Sequence, residues 1–267
     1  MTPKEMPPFA PVEQVPAGPL PAPGSAWPIL LADHAANGVP EGLDLGLPAE
    51  DMARHIAWDV GARGVTLELA ARLQAPAVLS TYSRLVIDPN RGEDDPTLVM
   101  RLYDGSVIPG NRRVDQAEIA RRVETLYRPY HAAITAEIDA ALAAGLHPYL
   151  LSIHSFTQQL RGRAPRPWHI GLLWDRDRRL VDPLLAALAE DSDLCIGENE
   201  PYTGQLAGDC MWRHGTARGL PHVLIEIRND LISAPEGQVA WAARLAPKIA
   251  RAVAEAEGAP LSPAQTQ

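Results

Sequence analysis

Pro221-His222-Val223-Leu224-Ile225-Glu226-Ile227-Arg228-Asn229-Asp230 is the stretch from which the rest of the chain is read. Val223, Leu224, Ile225 and Ile227 make a near-continuous apolar run, which predicts a strand buried on both faces. Glu226 interrupts that run. An unpaired carboxylate is costly to bury, so it must be paired, protonated or set beside a cation. Arg228 points to the same strand face two residues on, so one reading is a Glu226–Arg228 ion pair. The other reading is a functional carboxylate, and the surrounding chain has to choose between them.

Working outward, apolar strands alternate with amphipathic helices. Strands are predicted at 28–32, 75–79, 85–87, 148–153, 169–174 and 194–196, besides the Glu226 strand. Helices are predicted at 49–73, 177–190, 206–218 and 237–257, and a long one opens at the capping box Asp115-Gln-Ala-Glu118 and stops at Gly145. This alternation predicts an α/β fold, with one three-layer domain and a mostly parallel or mixed central sheet covered by helices on both faces. The domain is expected to span 28–257, after a proline-rich extended lead-in at 1–27 and before a flexible tail at 258–267.

The 267 residues are 46% hydrophobic, enough for a sizeable core, and the net charge is −9 with no Lys/Arg-rich run. That charge argues against a nucleic-acid partner, and an anionic substrate would need locally clustered arginines. Cys195 and Cys210 provide neither a disulfide framework nor Cys-x-x-Cys metal spacing. No apolar run reaches the ~18 residues of a membrane span, and no signal-peptide core is present, so a cytoplasmic location without membrane association is expected. Monomer and homo-oligomer stay open. Gly-x-Gly-x-x-Gly, Walker and Gly-x-Ser-x-Gly motifs are absent, which disfavours nucleotide cofactors and a serine hydrolase.

Polar residues fall at strand ends. His34 follows the first strand, Asp88, Asn90 and Arg91 follow Leu85–Ile87, His154-Ser155 follows Ile153, and Asp175-Arg-Asp177 follows Trp174. Ligands of open α/β sheets bind outside the carboxyl ends of the strands. Read together with Glu226, His34 and His154 are candidate zinc ligands. Asp59 is the preferred third ligand and Asn37 the alternative, while His55, four residues before Asp59, allows a plain His–Asp pair on one helix face. Arg84, Asn90 and Arg91 could hold a substrate carboxylate, Arg91 more directly than Arg84. Tyr202, in the turn-rich loop Gly197–Gly204, is a candidate for closing over a ligand.

Six ordered blocks between about 28 and 232 resemble the N-formylglutamate amidohydrolase family: Asp33-His34-Ala-Ala-Asn37-Gly-Val-Pro40, Trp58-Asp59-Val-Gly61-Ala62, Ser83-Arg84-Leu-Val-Ile-Asp88-Pro-Asn90-Arg91, Ser152-Ile-His154-Ser155-Phe156, Glu198-Asn-Glu-Pro-Tyr202-Thr-Gly204 and Ile225-Glu226-Ile-Arg228-Asn-Asp-Leu231. The resemblance implies a zinc-carboxypeptidase-like (phosphorylase/hydrolase-like) fold. It also implies Zn2+ held by His34 and His154, a substrate carboxylate held by Asn90 and Arg91, Glu226 as the base and Tyr202 as a mobile closing residue. Zinc carboxypeptidases carry Glu three positions after the first His, where this chain has Asn37, so Asp59 takes the third ligand position. The implied reaction is hydrolysis of a small anionic N-acyl amino acid, most simply N-formyl-L-glutamate to formate and L-glutamate, with Arg84 steadying the oxyanion. The alternatives are a deacylase or carboxypeptidase acting on another N-acyl amino acid, and a non-catalytic protein binding small carboxylates.

Overall fold

The computed structural model describes residues 9–257, so the expectations for residues 1–8 and for the 258–267 tail fall outside it. In chain order the strands are β1 (Val12–Val15), β2 (Ala26–Ala32), β3 (Ala77–Ser80), β4 (Leu102–Tyr103), β5 (Ser106–Val107), β6 (His147–Phe156), β7 (Ile170–Leu173), β8 (Ile196–Glu198) and β9 (His222–Arg228). The helices are α1 (Ala49–Met52), α2 (Ala62–Leu73), α3 (Gln116–Arg122), α4 (Arg128–Ala143), α5 (Val181–Leu188), α6 (Cys210–His214) and α7 (Pro235–Ala256). Strands β4 and β5 form a small hairpin, and the other seven make one mixed sheet in the order β1-β3-β2-β6-β9-β7-β8.

β9 lies inside that sheet, parallel to β6 and antiparallel to β7. Its alternation sorts the core. Val223, Ile225 and Ile227 join Leu151 and Ile153 of β6 beneath α2, α5 and α7, while Leu224 faces the opposite layer with Leu150 and the α4 residues Tyr130, Ile134 and Ile138. Glu226 shares the α4 face with Leu224 by the same period of two. Both faces are covered, as the apolar run requires.

Several elements depart from the sequence reading. Val12–Val15, inside the stretch expected to be a lead-in, pairs antiparallel with β3 as an edge strand. Residues 85–87 form a buried turn, not a strand. The Asn111 side chain donates to Leu85 O and the Arg122 guanidinium to Val86 O, replacing a strand partner. β7 and β8 run opposite to β3, β2, β6 and β9, so Asp175–Asp177 lies toward the amino end of β9 and not at the carboxyl edge.

The helix expected over 49–73 breaks between Met52 and Ala62. Gly61 adopts φ +85, and a Cβ there would lie 2.1 Å from Ile232 O, so glycine is required at this turn. The predicted cap holds: Asp115 accepts the Glu118 N–H at 2.9 Å. Between α3 and α4 a π-turn spans Val123–Tyr127, just before Pro129, which has no N–H to continue the α-helical ladder. The helix expected over 206–218 shortens to α6 and a 3-10 turn, with Asp209 as its N-cap through Trp212 N–H at 2.6 Å.

Candidate active site

The parallel register of β6 and β9 sets His154 beside Glu226, both on the α4 face. Asp33 and His34 follow β2, the neighbour of β6 on its other side. Asp59 arrives from the break before α2, where its N–H donates to His34 O at 3.0 Å. Ligand atoms of His34, Asp59 and His154 all lie within 4.8 Å of one another, and all three residues are buried.

The outer nitrogens explain the orientation of the two rings. His34 Nε2 donates to Asp88 Oδ1 at 2.6 Å, and His154 Nε2 donates to Asp33 Oδ2 at 2.8 Å. The opposite nitrogens then face Asp59 Oδ2, His34 Nδ1 at 3.4 Å and His154 Nδ1 at 2.8 Å. Imidazoles anchored by a carboxylate on the far side are the common arrangement around a bound metal. Asp33 is itself held by Tyr130 OH and Ser152 Oγ, each at 2.8 Å.

Charge makes the same point. Asp33, Asp59 and Asp88 are buried, and Arg84 is the arginine engaged with them, at 2.9 Å from Asp88 and 3.4 Å from Asp59. With Arg91 at 3.9 Å from Asp88, the three carboxylates still outnumber the two guanidiniums, and the remaining negative charge, to which an ionised Glu226 would add, favours imidazoliums or a bound cation. Burial and Arg84 alone would lower the His34 pKa, but Asp88 and Asp59 outweigh them and raise it. Against the same burial penalty, Asp33 and Asp59 hold His154 well above its ordinary value. Nitrogen and oxygen donors in this arrangement fit a divalent metal ion.

Glu226 stands apart from this bonding. Its Oε2 is buried without a hydrogen-bond partner, and burial lifts its pKa to about 7. The ion pair with Arg228 does not form, because Arg228 turns to Asp230 at 2.7 Å. His55 pairs with Asp104 at 3.2 Å and not with Asp59, since the helix break separates them. Asn37 is exposed and donates to Met52 O at 2.8 Å, away from the cluster.

Asn90 and Arg91 line the same cavity as His34, His154 and Glu226. Asn90 Oδ1 accepts the Cys210 N–H at 3.1 Å, which leaves the amide NH2 available to a ligand. Arg91 is 3.9 Å from Asp88 through an Nε that has no hydrogen-bond partner. The backbone beneath them is tied down by Tyr127 OH, which donates to Arg91 O at 2.7 Å, and by His131 Nε2, which donates to Pro89 O at 3.0 Å. Tyr202 lines the cavity with its OH accepting from Arg166 at 3.0 Å and its ring 4.8 Å from that guanidinium. Its loop folds back over Gly171, the register partner of Glu226, where a Cβ would lie 2.0 Å from Glu200 O.

The sequence reading gave Asp33 no role and noted Asp88 only by its place after Leu85–Ile87. Both are carboxylates at apolar strand or loop ends, so the burial argument applied to Glu226 would have found them. The cluster His131, Cys210 and His214 also brings ligand atoms within 4.8 Å, but its two imidazoles bond to each other. His131 Nε2 must donate to the Pro89 carbonyl, so its Nδ1 accepts from His214 Nε2 at 2.8 Å.

Fold and site together define an α/β protein built on one seven-stranded sheet, with a candidate metal centre and a buried, unpartnered carboxylate facing one cavity. The sequence profile of the N-formylglutamate amidohydrolase family matches residues 28–233, and the chain belongs to that family of hydrolases. Among solved structures, a gene product from Agrobacterium tumefaciens is 34% identical, with TM-score 0.85 over 92% of this chain and 96% of that one. An N-formylglutamate amidohydrolase from Ralstonia eutropha shares the fold at 24% identity, with TM-score 0.68 over 92% of this chain and 98% of that one. A metallo-carboxypeptidase from Burkholderia cenocepacia aligns at TM-score 0.42 and 14% identity, over 91% of this chain and 60% of that one. No curated protein matches the chain. No helix among the described residues is long and apolar enough to cross a membrane.

Proposed function

We propose that this protein is a zinc-dependent amidohydrolase that cleaves the acyl amide of an N-acyl amino acid. N-formyl-L-glutamate, the compound for which the family is named, is the reference substrate. His34, Asp59 and His154 would hold the ion, with Asp88 and Asp33 orienting the histidines. Zinc bound there supplies a Lewis acid for the acyl carbonyl and lowers the pKa of water toward ~7.

The chain's own residues account for the remaining steps. Arg91 and the Asn90 amide bind the substrate carboxylate, turning remote binding into orientation of the amide. Glu226 takes a proton from the attacking water as the water oxygen bonds to the acyl carbon. Arg84 steadies the developing oxyanion through Nε, the nitrogen not engaged by Asp59 or Asp88. As the C–N bond breaks, Glu226 passes its proton to the leaving nitrogen, giving a carboxylic acid and a free amino acid.

The observation that carries this reading is the partnerless Glu226 Oε2 beside the His34–Asp59–His154 cluster. Glu226→Gln is expected to retain zinc and lose ~10²–10⁴ in kcat. Near-native turnover by a zinc-loaded Glu226→Gln protein would sink the mechanism.

A further inference from the structure

The cavity extends beyond the reacting centre along the face of β9. Leu224 precedes Glu226 by two residues on the same face, and Leu173 of β7 is its register partner. Met211 of α6 joins both in one apolar cluster, and Trp174 also lines the space. At the rim Leu206 and Trp212 are 38% and 41% exposed, although both are large apolar side chains facing the cavity. Exposed apolar surface gathered at a cavity mouth is area that a ligand can cover.

This wall meets the carboxylate clamp at the start of α6. Asn90 Oδ1 is bonded to the N–H of Cys210, the residue before Met211. Met211 therefore sets the apolar wall next to a carboxylate held by Asn90 and Arg91, within the cavity that the other substituent of its α-carbon would share. The charges there oppose a second carboxylate. Among the described residues lining the cavity the arginines are Arg84 and Arg91, there is no lysine, and Arg84 has its two terminal nitrogens on Asp59 and Asp88, with Nε left for the acyl oxygen. Asp175 and Asp209 line the same cavity. A side-chain carboxylate like that of glutamate would enter an apolar wall beside Asp175, with Arg91 already on the first carboxylate and Arg84 Nε on the acyl oxygen.

We infer that the compartment formed by Leu173, Trp174, Leu206, Met211, Trp212 and Leu224 receives an apolar amino-acid side chain, so the substrates are N-acyl derivatives of aliphatic or aromatic amino acids with a single carboxylate. This inference rests on the hydrolase reading above for its chemistry, and on the cavity wall for its selectivity. One methylene more or less in an apolar pocket changes discrimination by ~10-fold or more.

The test compares N-formyl-L-leucine, N-formyl-L-phenylalanine and N-formyl-L-glutamate on the zinc-loaded protein, measuring kcat/KM for each and binding by calorimetry. The expected result is a preference of about 10- to 100-fold for leucine or phenylalanine over glutamate. In Met211→Arg, which adds a guanidinium to the wall, the ratio should move toward glutamate. Equal or better handling of N-formyl-L-glutamate by the unmodified protein overturns the inference and leaves the hydrolase reading standing. Selective binding of the apolar compounds without turnover sinks the hydrolase reading and supports the apolar compartment. Binding of none of the three overturns both.

Discussion

Two buried histidine pairs lie on the same side of the sheet and behave oppositely. His34 and His154, at the ends of the central strands, give their outer nitrogens to Asp88 and Asp33 and turn their inner nitrogens toward Asp59. Their pKa values are raised, and the surrounding carboxylates exceed the nearby permanent cations. His131 and His214, on α4 and α6, bond to each other and to the Pro89 carbonyl. Burial, with Arg213 nearby, pushes them down to about 3 and about 4, so both rings are neutral at pH 7. Burial is nearly equal in the two places. What differs is the partner: carboxylates create a demand for positive charge, whereas a carbonyl and a second imidazole do not.

The sharpest way to break this comparison is metal content. His34→Ala should abolish zinc binding measured by elemental analysis and with it hydrolysis, whereas His214→Ala should keep the ion. Loss of metal in both variants would erase the distinction. Asp33→Asn tests the layer behind the ligands, because it weakens the acceptor of the His154 Nε2–H. The expected loss is ~10- to 100-fold in zinc affinity, measured by competition with a chelator.

At the second pair the readout is stability. His131→Phe leaves the Pro89 carbonyl and the His214 donor unsatisfied, with an expected cost of ~1–3 kcal/mol in denaturant unfolding. A smaller effect lies in the pH dependence. Both folded pKa values are depressed below the unfolded 6.5, so the contribution of this pair is present above pH 6.5 and is lost as pH falls toward about 4 and 3. The slope is up to about 1.4 kcal/mol per pH unit for each group that titrates only in the unfolded state. Burial raises Asp209 to about 7, which acts in the opposite direction: its share is full below 3.8 and is lost as pH rises through 7. His34, His154 and Glu226, whose pKa values are raised, act in the same direction as Asp209, so the histidine pair is read as a difference between two proteins. Relative to the unmodified protein, His214→Gln should gain stability as pH falls from 6.5 to 5, by up to about 1.4 kcal/mol per pH unit, and parallel stability–pH curves for the two proteins would mean that His214 does not titrate in this way.

The amino-acid pattern was enough for the buried β9 strand, the Asp115 cap and the gathering of His34, Asp59, His154, Asn90, Arg91 and Glu226 at one cavity. Local chemistry carries most of these: an apolar run, a side chain that reaches its own backbone, and polar groups at the ends of buried strands for His34, His154 and Glu226, while Asp59, Asn90 and Arg91 stand in the family-like blocks. Tertiary structure alone decided the rest. The direction of β7 and β8, the replacement of a strand by side-chain bonds at Leu85–Ile87, and the helix break before Asp59 all depend on partners distant in sequence. So does the split between the two histidine pairs, because what surrounds a buried imidazole is set by long-range packing and not by its neighbours along the chain.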